Sequence, residues 1–266
     1  MKILSNLIFV IGRQRSGTTV FRKMLLSGKG VIDIGEIFHS DYTGNENCFF
    51  HFLAKQIESS PHLLHVGQHK KVFGDFVQYL SHKHRSANLL IDIKYNAFDM
   101  IRDFNRSDLS TPFIVNFLKN NNFPVFHIER KNKLRIIVSE TIAMKTKQWQ
   151  LKAEIEKVET PKVFLNPFGL MLVLRDEENL TRQFKKYFCD YNKYYCFVYE
   201  HMFDKSGNFK DVVLRIAKGV FNNSPDFNPT PLLIKQNNQP LKELIENFYQ
   251  VEEALKGTRF EHYLRF

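Results

Sequence analysis

The chain has 266 residues, of which 43% are hydrophobic, enough to bury the core of one large domain. Its 38 Lys and Arg residues exceed its 28 Asp and Glu residues, and the formal net charge of +10 suits an anionic ligand, nucleic acid or an acidic membrane surface. The 3 cysteines are too few and too scattered for a disulfide framework or a zinc site, and they indicate a reducing compartment.

Two features that the sequence lacks reduce the number of partner classes that its charge allows. The sequence has no basic run, and its aromatic residues fall in apolar-periodic segments, which argues against nucleic-acid binding. No segment is apolar over the length that a membrane span requires, and the first apolar stretch has no small-residue cleavage site. We therefore expect a soluble cytoplasmic protein that folds as one domain over residues 1–266.

The first apolar run, residues 7–11, predicts a strand that is buried on both faces of a parallel sheet. Gly12 ends this run, and apolar residues recur at helical spacing from Thr18 onward. A strand, a tight polar loop and a helix form the geometry of a phosphate loop. Backbone N–H groups at the start of the helix have no partner within the helix, and the helix dipole adds positive potential.

The loop differs from the loop that binds nucleoside triphosphates. Gly12 and Gly17 have the spacing of that pattern, but Thr18 stands where the pattern has lysine. The cation is instead Arg15, two residues before the second glycine. An ordinary strand-to-helix turn with a cap at Ser16 or Thr18 is the simple alternative.

Residues 15–19, Arg-Ser-Gly-Thr-Thr, resemble the 5′-phosphosulfate loop of sulfotransferases that use 3′-phosphoadenosine 5′-phosphosulfate (PAPS). The resemblance implies a three-layer α/β, P-loop-like fold with a central parallel sheet flanked by helices. It also implies that Arg15 is catalytic. The nucleotide ligands expected in this loop are Arg13, Arg15, Ser16, Gly17, Thr18 and Thr19.

Glu36 is the candidate general base. Residues 31–39 predict a short strand that ends at Gly35, with Glu36 just beyond, where functional groups project in parallel sheets. Sulfotransferases of the bacterial carbohydrate type place a glutamate base about twenty residues after the loop glycine, and the interval from Gly17 to Glu36 is similar. A solvated loop glutamate is the alternative.

Residues 45–85 predict two helices and contain most of the histidines. His62, His65 and His69 have spacings that raise the possibility of a metal site. Pro61 and Gly67 interrupt any helix there, and no Cys, Asp or Glu completes a ligand set. We therefore predict no metal site, and the resemblance implies that this region helps to form the acceptor cleft.

Residues 88–95 predict a second buried strand, with Asp92 and Lys94 toward its carboxyl end. The strand resembles one that carries a lysine near the acceptor site in sulfotransferases. A salt-linked strand end is an equally good account of Lys94. Residues 109–121 predict an amphipathic helix that ends at an Asn run and Pro124.

Residues 123–139 predict a strand, then Arg130, then a helix that carries Ser139. Sulfotransferases place an Arg at such a strand end and a Ser eight or nine residues later, and both bind the 3′-phosphate. A guanidinium and a hydroxyl supply suitable donors. The resemblance favours Arg130, and Lys131 remains the alternative.

The remaining segments predict a long helix over residues 168–187, a strand over 194–200, a helix over 211–221 and a final helix through Lys256. The 194–200 segment resembles the Tyr-Glu strand of sulfotransferases. Before the final helix, Lys235 is a candidate nucleotide ligand, because the corresponding segment of the bacterial enzymes can close over the nucleotide.

The order of these motifs implies a metal-independent sulfotransferase that moves the sulfuryl group of PAPS to a hydroxyl, on a carbohydrate or a glycolipid, and releases 3′-phosphoadenosine 5′-phosphate. Two alternatives remain. One is a small-molecule kinase or other NTPase, against which the missing loop lysine argues. The other is a non-catalytic protein that binds a nucleotide or carbohydrate. The sequence leaves the acceptor and the oligomeric state open.

Overall fold

A computed structural model describes residues 6–26, 30–39, 44–101, 111–149, 160–221 and 239–265 of the chain. These residues form an α/β architecture with a five-stranded parallel sheet flanked by helices. The strands are β1 (Leu7–Gly12), β2 (Val31–Glu36), β3 (Asn88–Lys94), β4 (Val125–Glu129) and β5 (Tyr194–Val198). Their order across the sheet is β2-β3-β1-β4-β5, so β1 is the central strand.

The helices of the described ranges follow the apolar periodicity of the sequence. They are α1 (Thr18–Leu25), α2 (Phe49–Ser59), α3 (His69–Lys83), α4 (Phe113–Asn120), α5 (Lys133–Thr146), α6 (Pro167–Tyr187), α7 (Asp211–Val220), α8 (Leu241–Leu244) and α9 (Phe248–Leu255). Across those ranges, none has the length and apolar character needed to cross a membrane.

Three boundaries differ from the sequence prediction. The final helix is broken into α8 and α9, because Ile245 adopts an extended conformation and pairs with Val163. The strand predicted over residues 194–200 ends at Val198, and Tyr199–His201 is a 3-10 turn. The fourth helix begins at Phe113 rather than at residue 109, since Pro112 is its N-cap.

The strand β1 is buried throughout, and its alternate side chains enter two different cores. Leu7, Phe9 and Ile11 pack with residues of α3 and α4, whereas Ile8 and Val10 pack with residues of α1 and α7. Burial on both faces explains why the strand reads as a continuous apolar run. A third apolar cluster joins α5, α6, α8 and α9.

Because all the pairings are parallel, the carboxyl ends of the strands share one edge of the sheet. Gly12 of β1 is in register with Lys94 of β3 and with Ile128 of β4. Glu36 of β2 is in register with Asp92 of β3. The sheet therefore brings the loop after β1 close to the residues that end β3 and β4.

His127 fixes β4 in the interior. Its ring is fully buried, with Nε2 in contact with the Tyr95 hydroxyl and Nδ1 in contact with the Tyr194 hydroxyl. Burial lowers the pKa of His127 to about 3, and the charges of Lys185 and Lys133 act in the same direction. His127 is therefore neutral at neutral pH and joins β4 to the residues after β3 and to β5.

This histidine should make the stability of the fold depend on pH. In the unfolded chain a histidine binds a proton near pH 6.5, whereas His127 in the folded chain binds one only near pH 3. The contribution of the neutral His127 to the free energy of unfolding is therefore fully present above about pH 6.5. It is lost at about 1.4 kcal/mol per pH unit as the pH falls toward 3. Urea unfolding of the wild type between pH 4.5 and 7.5 measures this slope.

The matched substitutions are His127→Gln and His82→Gln, since His82 is exposed on α3. We expect His127→Gln to lower stability at pH 7.5 and to flatten the loss of stability below pH 6.5. His82→Gln should keep the slope of the wild type. Equal slopes in all three proteins would contradict a neutral His127.

Candidate functional site

The loop between β1 and α1, residues 13–17, lies at the centre of the carboxyl edge. Gly17 has φ 99°, a left-handed conformation that glycine adopts at little cost. A Cβ on Gly17 would lie 2.2 Å from Cδ2 of Tyr199, so the glycine allows the tyrosine ring to pack directly on the loop. Arg15 also has positive φ, 66°, which turns the loop sharply before α1.

The first turn of α1 has no side-chain cap among the described residues, and its N-cap is Gly17. The simple turn capped by Ser16 or Thr18 is therefore not what forms. Ser16 Oγ is buried without a hydrogen-bond partner in the described part of the chain. Backbone N–H groups at this end of α1 retain the capacity to bind an anion.

Arg15, Arg130 and Ser139 meet above this loop. Arg15 Nε donates to Ser139 Oγ at 2.9 Å, and Arg130 Nη1 donates to the carbonyl oxygen of Arg15 at 3.1 Å. The Arg130 guanidinium also lies over the Tyr199 ring, 5.5 Å from its centroid. Within the described ranges, Arg130 Nε is buried without a hydrogen-bond partner. The sequence prediction placed Arg15 at the 5′-phosphosulfate and Arg130 with Ser139 at the 3′-phosphate, and in the structure Arg130 and Ser139 each contact Arg15.

The two guanidinium groups create a region of positive potential. Burial lowers the pKa of Arg15, the charge of Arg130 lowers it further, and Glu140 opposes both effects. Burial also lowers the pKa of Arg130. Arginine keeps its proton in proteins despite such shifts, so both groups remain cations. Anionic groups bound to them would relieve the cost of their desolvation and of their mutual repulsion.

Glu36 lies at the end of β2, beyond a bulge that shifts the register between Asp33 and Gly35. Gly35 has φ 86°, and its N–H donates to Asp33 Oδ1 at 3.0 Å. Burial raises the pKa of Glu36, Lys94 opposes this rise, and the charge of Asp92 adds to it. Glu36 is therefore a stronger base than an exposed glutamate.

A buried charge network lies between β2, β3 and the start of α1, and its charges act on Glu36. The fully buried Asp92 accepts hydrogen bonds from Lys94 Nζ at 2.7 Å and from Arg22 Nε at 3.0 Å. Arg22 also pairs with Asp33, and Lys94 also donates to the Thr18 hydroxyl. Burial alone would raise the pKa of Asp92, but Lys94 and Arg22 hold it below its ordinary value. The salt-linked strand end considered for Lys94 is observed.

The guanidinium of Arg13 is paired with two carboxylates. Its Nη2 lies 2.7 Å from Glu140 Oε2, and its Nε lies 2.8 Å from Glu177 Oε1. Burial would lower the pKa of Arg13, but Glu177 and Glu140 together raise it. The guanidinium therefore ties the loop to α5 and α6. Thr19 lies in the first turn of α1, and Lys235 lies outside the described residues.

Lys131 occupies a different environment from its neighbour Arg130. Its side chain is exposed and lines a cavity of about 530 Å³ together with Arg182 and Lys185 of α6. Its backbone N–H donates to Glu200 Oε2 at 3.0 Å. Of the adjacent pair, Arg130 is the residue that contacts Arg15.

The histidines considered as metal ligands lie on short elements between α2 and α3. His62 is in a 3-10 turn, His65 follows that turn, and His69 begins α3. In the ranges described, no group of three or more His, Cys, Asp or Glu side chains has a metal-binding arrangement.

The sequence prediction assigned no functional or structural role to the side chains of three residues of the site. Arg22 falls beside Phe21 on a largely apolar helix, and this position was the only signal that its charge is buried. Asp33 was read only as part of a strand. Tyr199 was assigned to a strand, and nothing local to it indicates its contact with Gly17.

No protein-family model matches the chain, and no curated protein matches it with significant similarity. The interpretation of the candidate site therefore depends on its own geometry and on the sequence motifs.

Proposed function

We propose that the protein transfers the sulfuryl group of PAPS to a hydroxyl of a carbohydrate or glycolipid. The observation that carries this proposal is the convergence of Arg15 and Arg130 beside the N-terminus of α1. Two cations and a set of backbone N–H groups suit a ligand with two separate anionic groups. PAPS has such groups in its 5′-phosphosulfate and its 3′-phosphate.

The proposal includes a three-layer, P-loop-like arrangement of the fold. In its support, the loop follows the central strand of a parallel sheet and leads directly into a helix. Helices lie on both faces of that strand, as its two cores indicate. The left-handed Gly17 stands at the junction of loop and helix.

Each ligand group has candidate residues. The 5′-phosphosulfate would bind Arg15 and the N–H groups at the start of α1, with hydroxyls from Ser16, Thr18 and Thr19. The 3′-phosphate would bind Arg130 and Ser139. Arg13, whose guanidinium is held by two carboxylates, would contribute through its backbone. Lys235 is proposed as a further ligand on the resemblance alone.

Sulfuryl transfer requires a base for the acceptor and positive charge for the leaving phosphate. An acceptor oxygen forms a bond to sulfur while the bond between sulfur and the phosphate oxygen breaks. Glu36 would take the proton of the acceptor hydroxyl, and its raised pKa favours this role. Arg15 and the N–H groups of the loop would stabilise the negative charge that develops on the phosphate.

Substitution of Arg130 tests the nucleotide site. We expect Arg130→Ala to weaken binding of 3′-phosphoadenosine 5′-phosphate by about 1.5–3 kcal/mol, the scale of a charge-assisted hydrogen bond. Arg130→Lys should recover only part of this loss, because lysine lacks the forked donors. Isothermal calorimetry without divalent metal measures the affinities.

Lys131→Ala is the matched control, since Lys131 faces the separate cavity. Its affinity should equal that of the wild type. Normal binding by Arg130→Ala with weak binding by Lys131→Ala would reverse the assignment. Tighter binding of Mg²⁺-ATP than of the desulfated nucleotide would favour the kinase alternative.

Glu36→Gln tests the base. We expect turnover to fall by roughly 10²–10⁴-fold while the affinity for 3′-phosphoadenosine 5′-phosphate stays nearly constant, because the base acts on the acceptor. Arg15→Ala should weaken both binding and turnover, since its charge contacts the nucleotide throughout the reaction. Labelled PAPS with a panel of glycan and glycolipid acceptors provides the assay.

Glu58→Gln, on the exposed side of α2, controls for the loss of one carboxylate and should keep full turnover. Near-normal turnover of Glu36→Gln would disprove its role as base. The next candidates would then be His39 and the histidines between His51 and His69.

A further inference from the structure

An exposed apolar surface lies where α5 ends and α6 begins. It contains large side chains that are at least two-fifths exposed, and Phe168 is 92% exposed. We define the apolar-basic surface by Met144, Trp149, Phe164, Phe168, Met171 and Leu172 together with Lys145, Lys147 and Lys162. None of these nine side chains belongs to the proposed catalytic or nucleotide-binding set.

The apolar residues that α6 contributes to this surface do not lie on the face of the helix that packs against the core. Leu170 and Leu174 form that face and are buried in the cluster with α5 and α9. Phe168, Met171 and Leu172 are spaced three and four residues apart and share the opposite, exposed face. The helix therefore has apolar side chains on a side where packing within the described chain does not bury them.

The segment before α6 continues this surface. Val163 and Leu165 are buried, whereas Lys162 and Phe164 between and beside them are exposed. Lys145 Nζ donates to the carbonyl oxygen of Lys162 at 3.1 Å. This bond places the last turn of α5, with Met144 and Lys145, beside the exposed segment.

We propose that the apolar-basic surface binds an anionic phospholipid bilayer. Exposed Phe, Trp, Leu and Met side chains can enter the boundary between head groups and acyl chains, and lysines around them can reach lipid phosphates. Charge complementarity favours this partner, because the chain carries +10 and the surface includes three lysines. Among the described residues, the N–H of Glu246 donates to the carbonyl oxygen of Val163, and Asp176 is exposed on α6 one turn beyond Leu172.

A second copy of the chain is a poorer partner for this surface. Lysine is depleted at protein interfaces, where its desolvation is costly. A symmetric contact would also bring the lysines of two chains together, each chain with a net charge of +10. A bilayer instead leaves the ammonium groups hydrated among phosphates while the apolar side chains are buried.

The surface adjoins the candidate site. Arg15 Nη1 donates to the carbonyl oxygen of Trp149, so the loop after β1 and the apolar-basic surface are in direct contact. Docking would therefore hold the loop near the membrane. The docking itself does not rest on the proposed function, whereas a lipid-linked acceptor, which it favours, does.

The single tryptophan of the chain, Trp149, provides a probe within the surface. We expect its fluorescence to shift to shorter wavelength with vesicles of phosphatidylglycerol and phosphatidylcholine in equal parts, and to be quenched by brominated lipid. Pure phosphatidylcholine vesicles should bind at least tenfold more weakly. Added salt should weaken binding to the anionic vesicles, because it screens the lysines.

Phe168→Asp should weaken binding to the anionic vesicles at least tenfold, since it removes an aromatic anchor and adds a negative charge. Leu64→Asp is the matched control, because Leu64 is 63% exposed on the 3-10 turn after α2. It should bind as the wild type does. Because Phe168 is almost fully exposed, its substitution should leave the thermal unfolding temperature unchanged.

Two double variants distinguish attraction by the lysines of the apolar-basic surface from attraction by the net charge of the whole chain. We expect Lys147→Glu with Lys162→Glu to weaken vesicle binding at least twenty-five-fold, about fivefold for each lysine lost. Lys71→Glu with Lys205→Glu changes the net charge equally at exposed positions on α3 and after β5, and should cost less than fivefold.

Equal losses in the two double variants would overturn the proposal in favour of general attraction by net charge. Absence of vesicle binding would also overturn it, and a concentration-dependent dimer that Phe168→Asp abolishes would identify a second copy as the partner. Binding of 3′-phosphoadenosine 5′-phosphate is measured on the same variants. Weak nucleotide binding with intact docking would count against the proposed function alone.

Discussion

The carboxyl edge of the sheet depends on how Asp92 is held. This carboxylate is fully buried, and its transfer from water costs several kcal/mol unless cations and hydrogen bonds compensate. Arg22 from α1 and Lys94 from the same strand provide that compensation. Loss of either cation leaves a buried charge, for which the usual cost is about 3–5 kcal/mol. The network therefore fixes α1, β2 and β3 relative to one another.

The edge is electrostatically asymmetric about β1. On the β3 and β2 side, Arg22 and Lys94 are matched by Asp92 and Asp33. On the β4 side, burial and the nearby guanidinium of Arg130 lower the pKa of Arg15, and Glu140 opposes this shift. An anionic group is therefore favoured beside β4, and a base is available at the end of β2. The sulfuryl transfer that we propose would use both sides of the edge.

The elements that the sequence predicted well are those whose burial is uniform. A strand covered on both faces reads as an apolar run, and β1, β3 and β4 were therefore predicted within a residue or two. The loop was predicted because Gly12 ends the apolar run of β1 and Gly17 immediately precedes α1, where its positive φ is required. The break between α8 and α9 was missed, because the pairing of Ile245 with Val163 joins residues far apart in sequence.

Charge was the property that the sequence left most ambiguous, since a net charge of +10 is compatible with several kinds of partner. The places that the charged side chains occupy in the fold reduce the number of partners that the net charge allows. Arg13 and Arg22 are paired with carboxylates in the interior and therefore add little to the outer field. Arg15 and Arg130 converge beside a helix N-terminus, and three exposed lysines lie in the same segments as exposed aromatic side chains. The same surplus of positive charge is thus divided among a structural role, a candidate ligand site and an outer surface, a division that composition cannot reveal because it depends on which helix faces pack together.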